Sequence, residues 1–347
     1  MKSINRRAFI RWMALQFGVL MGGEFLASCR QATGPLPTSG VNPKGTSKPT
    51  AIVPDDPTET GETNEPSPTV EPTETSPPPA LAVARGGEPE DLVRAALAAL
   101  GGIERFVQAG DRVVVKPNIC VAYHTYEYAA TTNPWVVGEL VSQCLQAGAD
   151  RVLVMDYPFG GTSEQAYIKS GIQEQVLAAG GEMDSFSPVK FVMTDISQGI
   201  DLQTCDIYDD VLTADVVINV PIAKHHGLAK LTLGMKNLMG VIKNRPYMHQ
   251  NLGQKLADLS SRVMPTLTVV DAVRILTYGG PSGGSLDAVK KLDTVIASPD
   301  IVAADSYAAT LFGMEPTDLG YVNAGNAMGI GTSDLSSLRI EEISLGG

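Results

Sequence analysis

From Glu90 to Phe312, short apolar, β-branched runs alternate with stretches whose apolar positions recur at helical spacing. The runs are Arg112–Val115, Arg151–Met155, Val216–Val220, Thr266–Val270 and Thr294–Ala297. They hold too few polar alternations for strands with one wet face, so the pattern predicts a sheet covered on both sides. Helices are predicted over Glu90–Leu100, Pro134–Ala147, Glu164–Lys169, Leu231–Ile242, Gly253–Val263 and Ile301–Phe312. The second is the best marked, with Asn133 as N-cap, Pro134 at the first helical position and Gly148 just past the end. The alternation gives an α/β fold, a largely parallel sheet with helices on both faces. Periodicity weakens between Gly181 and Asp210, which reads as an inserted or irregular middle within one domain.

The N-terminal eighty residues follow neither period. Arg6-Arg7-Ala8-Phe9 resembles a twin-arginine export signal, and Leu26-Ala27-Ser28-Cys29 resembles a lipobox whose cysteine, Cys29, is acylated after cleavage. The uncharged run between them, Trp12 to Gly23, is twelve residues, short of the roughly 20 that a spanning helix needs. Residues 30–80 are rich in Pro, Thr, Ser and Glu and nearly devoid of large apolar side chains. Such a segment cannot offset its ordering entropy by burial, so it is expected to be a disordered tether ahead of a domain over residues 81–347. The expected address is outside the cytoplasm, on the outer face of the cell membrane or in the periplasm. The expected partners are the twin-arginine export machinery and the membrane, through lipid on Cys29.

Charge sharpens the reading. A net charge of −12 argues against nucleic acid as a partner. Yet between Asp215 and Asp258 there is no carboxylate, while Lys224, Lys230, Lys236, Lys243, Arg245 and Lys255 fall there with His225, His226 and His249. A span so one-sided predicts a local positive potential that attracts an anionic small molecule or an acidic protein. On the predicted helix Lys236, Gly240 and Lys243 share a face, and Gly234 and Gly240 each cost about 1 kcal/mol against Ala, which points to a close approach by a ligand or another backbone. Cys120, Cys144 and Cys205 are too widely spaced for a disulfide framework or a Cys-x-x-Cys metal site.

In open α/β sheets ligands sit beyond the carboxyl ends of strands, which here carry Lys116, Asn118, Asp156, Asn219, Lys224 and Asp271. Thr131-Thr132-Asn133 stands at a helix N-terminus, a geometry suited to a carboxylate or phosphate. His225 and His226 are adjacent, so on a strand they point to opposite sides. One lines a site as a proton-transfer group, or they join His249, His124, Asp156 or Asp271 around a metal. Gly279–Gly284 is read as a surface turn or a lid.

Taken together, Val-Lys116-Pro117-Asn118, Thr131-Thr132-Asn133-Pro134, the strand to Asp156, Asp215-Val-Val-Ile-Asn219-Val-Pro221, Lys224-His225-His226-Gly227, Leu233-Gly-Met-Lys236-Asn237-Leu-Met-Gly240 and Thr268-Val-Val-Asp271 resemble the domain-of-unknown-function 362 family over most of residues 110–313. Many members carry a ferredoxin-like module with Cys-x-x-Cys repeats. The present sequence has no iron–sulfur motif, so the resemblance implies no such cluster here. The Lys/His segment also looks distantly like the nickel-pincer lactate racemase family, whose sites hold a phosphate-bearing cofactor among basic and imidazole groups. The expectation is therefore an exported, lipid-anchored α/β protein that binds an anionic ligand or cofactor, either a metal or a phosphate-bearing group. The binding set is Lys116, Asn118, Thr131, Thr132, Asn133, Asp156, Lys224, Lys230, Lys236, Asn237 and Asp271, with His225 and His226 handling protons. That set would serve a redox or metal-assisted enzyme, or a non-enzymatic lipoprotein that captures a solute or docks a partner.

Overall fold

Side-chain alternation along the strands decides how the sheet is covered. The computed structural model describes residues 78–346; the twin-arginine segment, Cys29 and the tether to residue 77 lie outside the described residues. The strands are β1 (Leu81–Arg85), β2 (Arg112–Pro117), β3 (Arg151–Val154), β4 (Phe191–Asp195), β5 (Thr204–Tyr208), β6 (Val216–Val220), β7 (Ile222–His226), β8 (Lys230–Thr232), β9 (Leu267–Leu276), β10 (Val289–Ser298) and β11 (Ile340–Ser344). The helices are α1 (Pro89–Ala99), α2 (Pro134–Gln146), α3 (Ser163–Ser170), α4 (Ile172–Ala178), α5 (Asp209–Thr213), α6 (Gly234–Asn237), α7 (Arg245–Met248), α8 (Leu252–Val263), α9 (Ile301–Thr310) and α10 (Gly320–Ala327).

The main sheet has the order β11-β1-β10-β9-β6-β2-β3, with the β7–β8 hairpin joined to β9 through β7. Pairing is parallel between β3, β2, β6 and β9 and between β1 and β11, and antiparallel at β10 and at β8. The sheet is thus mixed but mostly parallel. Val113, Val115, Val216, Ile218 and Val220 point into one core with α1, α2 and α4. Val114, Val217 and Val270 point into the other with α8, α9 and α10. Each fully buried Val or Leu contributes about 1.5–3 kcal/mol relative to exposure, so both faces need helices.

Five of the six predicted helices appear within one or two residues at each end. The exception is Leu231–Ile242. That segment instead gives strand β8, the short helix α6, and a 3₁₀ turn over Leu238–Val241. The apolar spacing looked helical, but β8 pairs with β7, with Lys224 opposite Thr232 and His226 opposite Lys230. Backbone pairing with a neighbouring strand overrides local helical periodicity. Lys243 therefore leaves the face it was expected to share with Lys236: it is exposed, and its N–H donates to Asp206 O. The weakly periodic middle folds as the separate two-stranded sheet β4–β5.

Candidate functional site

A polar row crosses the hydrophobic sheet at one level. Lys116 lies opposite Asn219, and Asn219 opposite Thr268, on three adjacent parallel strands. All three are on the α6 side and buried. Short helix α6 is fixed directly above them. The carboxylate of Asp305 from α9 accepts from the N–H groups of Gly234 (2.6 Å) and Met235 (2.9 Å), and Asn219 donates to Gly234 O at 3.0 Å. Burial pushes the Asp305 carboxyl up to about 7 against those two backbone bonds.

Asn237, at the end of α6, gathers the row. Its Nδ2 donates to Asn219 Oδ1 (2.9 Å) and Lys116 O (3.2 Å), and its Oδ1 accepts from Lys116 Nζ and Asn118 Nδ2, both at 2.9 Å. Lys116 Nζ also pairs with Asp156 Oδ1 at 2.8 Å; the partner oxygen, Oδ2, accepts from Ile119 N at 2.6 Å. On the far side Asn118 Oδ1 accepts from Lys224 Nζ at 2.9 Å, and Lys224 donates again to Ala130 O at 2.5 Å. A buried chain thus links Asp156, Lys116, Asn237, Asn118 and Lys224. Gly240 lies against it: a Cβ there would overlap Asp156 Oδ1 and lie 2.5 Å from Lys116 Nζ. Close approach, rather than backbone conformation, demands glycine at this position.

Two further cations face this chain. Arg245 donates to Tyr157 O at 2.6 Å and stacks 4.2 Å over the Tyr157 ring, while its buried Nε has no hydrogen-bond partner. Lys236 is half-buried and, among the described residues, makes no hydrogen bond or ion pair. Burial, then the charge of Lys224, followed by those of Arg245 and Lys116, brings the Lys236 ammonium down to about 8; the Cys120 sulfur pulls the other way. Lys116 is brought to about 8 by burial, which outweighs its pairing with Asp156. Lys224 and Arg245 are both lowered by burial. Lys116, Lys224, Lys236 and Arg245 carry four positive charges, and among the described residues the carboxylate acting on them is Asp156. Four minus one leaves an excess of three at the carboxyl edge of the parallel strands.

The other predicted residues divide. Thr132 Oγ1 accepts from Asn118 N and donates to Val220 O, and Thr131 Oγ1 accepts weakly from Cys120 N, so both shape the Asn118 loop. Asn133 caps α2, accepting from Trp135 N at 3.0 Å, and its own N–H donates to Asp271 Oδ2 at 2.7 Å. Asp271 also accepts from Val273 N at 3.0 Å. It is a tie beneath α2, and burial raises its carboxyl to about 6. Lys230 does not join the cluster: it is exposed and pairs with Asp318 at 3.3 Å. Lys255 turns back onto the Tyr247 carbonyl and ring.

The histidines separate as adjacent strand residues must. His226 Nδ1 accepts from Leu228 N and Ala229 N, both at 3.1 Å, and so closes the β7–β8 turn. Burial, then the charges of Lys236 and Lys224, depresses its imidazole to about 3, which leaves it neutral at physiological pH and a structural acceptor rather than the expected proton carrier. His225 accepts from Gly280 N at 3.2 Å and is half-buried, so it holds the Gly279–Gly284 loop that also brings Pro281 O to 3.5 Å from Cys120 Sγ. His124 stacks on Tyr128, and His249 is exposed. Among the described residues no three His, Cys, Asp or Glu side chains converge as a metal would require.

Asn219, Arg245 and Cys120 were absent from the predicted binding set. Arg245 stands in the carboxylate-free span, but nothing local marks it as part of the site, and Cys120 carried no signal, because their placements depend on the Tyr157 and Pro281 carbonyls. Asn219 had one: an amide interrupts the run of valines and isoleucines from Val216 to Val220.

The profile of the DUF362 family, a domain of unknown function, matches residues 113–310, which contain every member of the buried chain. The chain belongs to the DUF362 family. A thylakoid-associated protein of Synechocystis is 26% identical over 247 residues, covering 69% of this chain and 74% of that protein. Among solved structures, the lactate racemase apoprotein of Thermoanaerobacterium thermosaccharolyticum gives a TM-score of 0.37 at 12% identity, over 61% of this chain and 53% of that one. A Thermotoga maritima protein gives 0.41 at 14% identity, over 65% and 60%. This DUF362 chain thus spans little more than half of either solved structure.

Proposed function

We propose that this DUF362 protein is exported, anchored through lipid on Cys29, and binds an anionic ligand or cofactor over Lys116, Lys224, Lys236 and Arg245. The observation that carries the reading is the uncompensated charge: buried cations are ordinarily paired, and a surplus of three around one carboxylate is costly until an anion joins it. Lys236 and the Arg245 Nε supply donors that find no partner among the described residues. The reading assigns an anion-bearing group, phosphate or carboxylate, to the neighbourhood of the Asn118 loop, the Asp156–Tyr157 loop and α6. Lys116 and Asn237 hold the floor, Lys224 and Lys236 neutralise charge, and His225 positions the covering loop. The thylakoid association of the Synechocystis relative accords with a membrane-facing address.

Titration calorimetry of the protein with inorganic phosphate, sulfate and pyrophosphate tests the binding. Saturable binding that is lost in Lys236→Ala supports it. An absence of heat for all three anions, with melting unchanged by each, overturns it. The export reading is tested separately by labelling with a radioactive fatty acid in cells making the wild type and Cys29→Ser; label retained in the variant removes the anchor.

A further inference from the structure

Lys236 differs from every other cation in the cluster. Lys116 has Asp156, Asn237 and Pro117 O; Lys224 has Asn118 and Ala130 O; Arg245 has the Tyr157 and Pro158 carbonyls. Lys236 alone is half-buried with no donor–acceptor partner among the described residues, and three of its electrostatic neighbours are positive. Such surroundings disfavour an ammonium and favour a negative charge in the same place.

We propose that Lys236 is a carbon dioxide-binding residue that forms a carbamate, with Lys224, Arg245 and Lys116 as its counter-charges. The neutral amine attacks the carbon of CO₂, and the N–C bond forms as one C=O electron pair moves to oxygen. Counted from the ammonium, the nitrogen gives two protons to solvent, one before the attack and one after it, and the product is a carbamate anion. Nothing is oxidised or reduced, and no co-reactant is needed. The change takes Lys236 from one positive to one negative charge, so the local excess falls from three to one. With its ammonium near 8, the side chain holds about a tenth of its population as free amine at pH 7. Lys243, by contrast, is exposed and is not among the cations acting on Lys236.

The proposal rests on the same cation surplus as the anion-binding reading but requires more, namely a reactive amine. Full-length protein is equilibrated with ¹³C-labelled bicarbonate and CO₂, and its ¹³C spectrum is recorded. A second portion is treated with triethyloxonium to convert any carbamate into its ethyl ester and is then mapped by mass spectrometry. Sulfate binding is measured on the same preparation by calorimetry. The expected result is an ethyl carbamate concentrated at Lys236, at least tenfold above that at Lys243, absent from Lys236→Arg and diminished by excess sulfate. No adduct at Lys236, an adduct spread evenly over exposed lysines, or one indifferent to sulfate overturns the carbamate. If sulfate still binds in that case, only the carbamate falls; if it does not, both readings fall. The wild-type map decides without relying on the variant's folding.

Discussion

Two places in this DUF362 domain gather donors that would suit an anion, and only one of them is already matched by a carboxylate of the protein. At the N-terminus of α2, Thr131-Thr132-Asn133 offers backbone N–H groups, yet the Asp271 carboxylate already accepts from Asn133 N and Val273 N. The protein has provided its own anion there. Around Lys116 the balance is opposite: Asp156 engages one ammonium, and Lys224, Lys236 and Arg245 remain in excess. Both places carry the same sequence signature of donors after a strand. What separates them is a carboxylate contributed from a distant strand, so donor geometry alone does not distinguish the two places; the local charge sum does.

The strongest way to break this comparison is to remove the lysine that holds the one carboxylate. Lys116→Met leaves Asp156 buried without its counter-ion, and breaking such a pair costs about 3–5 kcal/mol. Urea denaturation of the variant is expected to show a loss of that size. A loss below 1 kcal/mol would mean that the pair is solvated and the cluster less buried than described. At the closed site, Asp271→Ala strands two buried backbone donors, at about 1–3 kcal/mol. It should lower the unfolding free energy without weakening phosphate or sulfate binding in calorimetry, whereas a large fall in anion affinity would merge the two places into one site.

Much of this arrangement is legible from sequence, and the illegible part has a physical reason. Asn133, Pro134 and Gly148 bracket α2 because capping is local. The strand ends that carry Lys116, Asn118 and Asp156 follow from β-branched runs, whereas Lys224 lies inside β7, a strand that no such run marks. The segment from Leu231 to Ile242 misleads, because Leu231, Leu238, Met239 and Ile242 keep a helical period while pairing of β8 with β7 sets the backbone. The same hairpin uses His226 as its turn acceptor, a role that needs the positions of the Leu228 and Ala229 N–H groups. Strands β1 and β11 escape notice because their pairing partners lie more than two hundred residues apart in sequence. Gly240 is the instructive intermediate: its presence signals a close approach, but only the fold shows that the approaching groups are Lys116 and Asp156.

A smaller effect sharpens the electrostatic half of the comparison. Lys236 and Lys116 are lowered to about 8 from 10.5. Between those values the unfolded chain binds more protons than the folded one, so their contribution to stability rises with pH across that window. Anion affinity must move the other way, because deprotonation removes the charge that attracts the ligand. Loss of one charge-assisted contact, about 1.5 kcal/mol, weakens binding roughly tenfold between pH 7 and about 9.5. Lys236→Met should flatten both dependences relative to wild type, in denaturation and in calorimetry. Affinity that is constant over this range in the wild type would detach Lys236 from the site.

The smallest effect belongs to Lys230, which lies in the same carboxylate-free span as Lys236, six residues away in sequence. Its ammonium meets Asp318 at 3.3 Å on the surface, with both side chains about half exposed. Solvent screening holds such pairs to about 0–1 kcal/mol. Lys230→Ala should therefore leave anion affinity within twofold and unfolding free energy within roughly 0.5 kcal/mol. Lys236→Ala, with the same formal charge change, should abolish binding. Were the two variants to weaken binding equally, the attraction would be a diffuse property of a basic segment. Unequal loss ties it to Lys236, which has no partner among the described residues, and not to Lys230, which has Asp318.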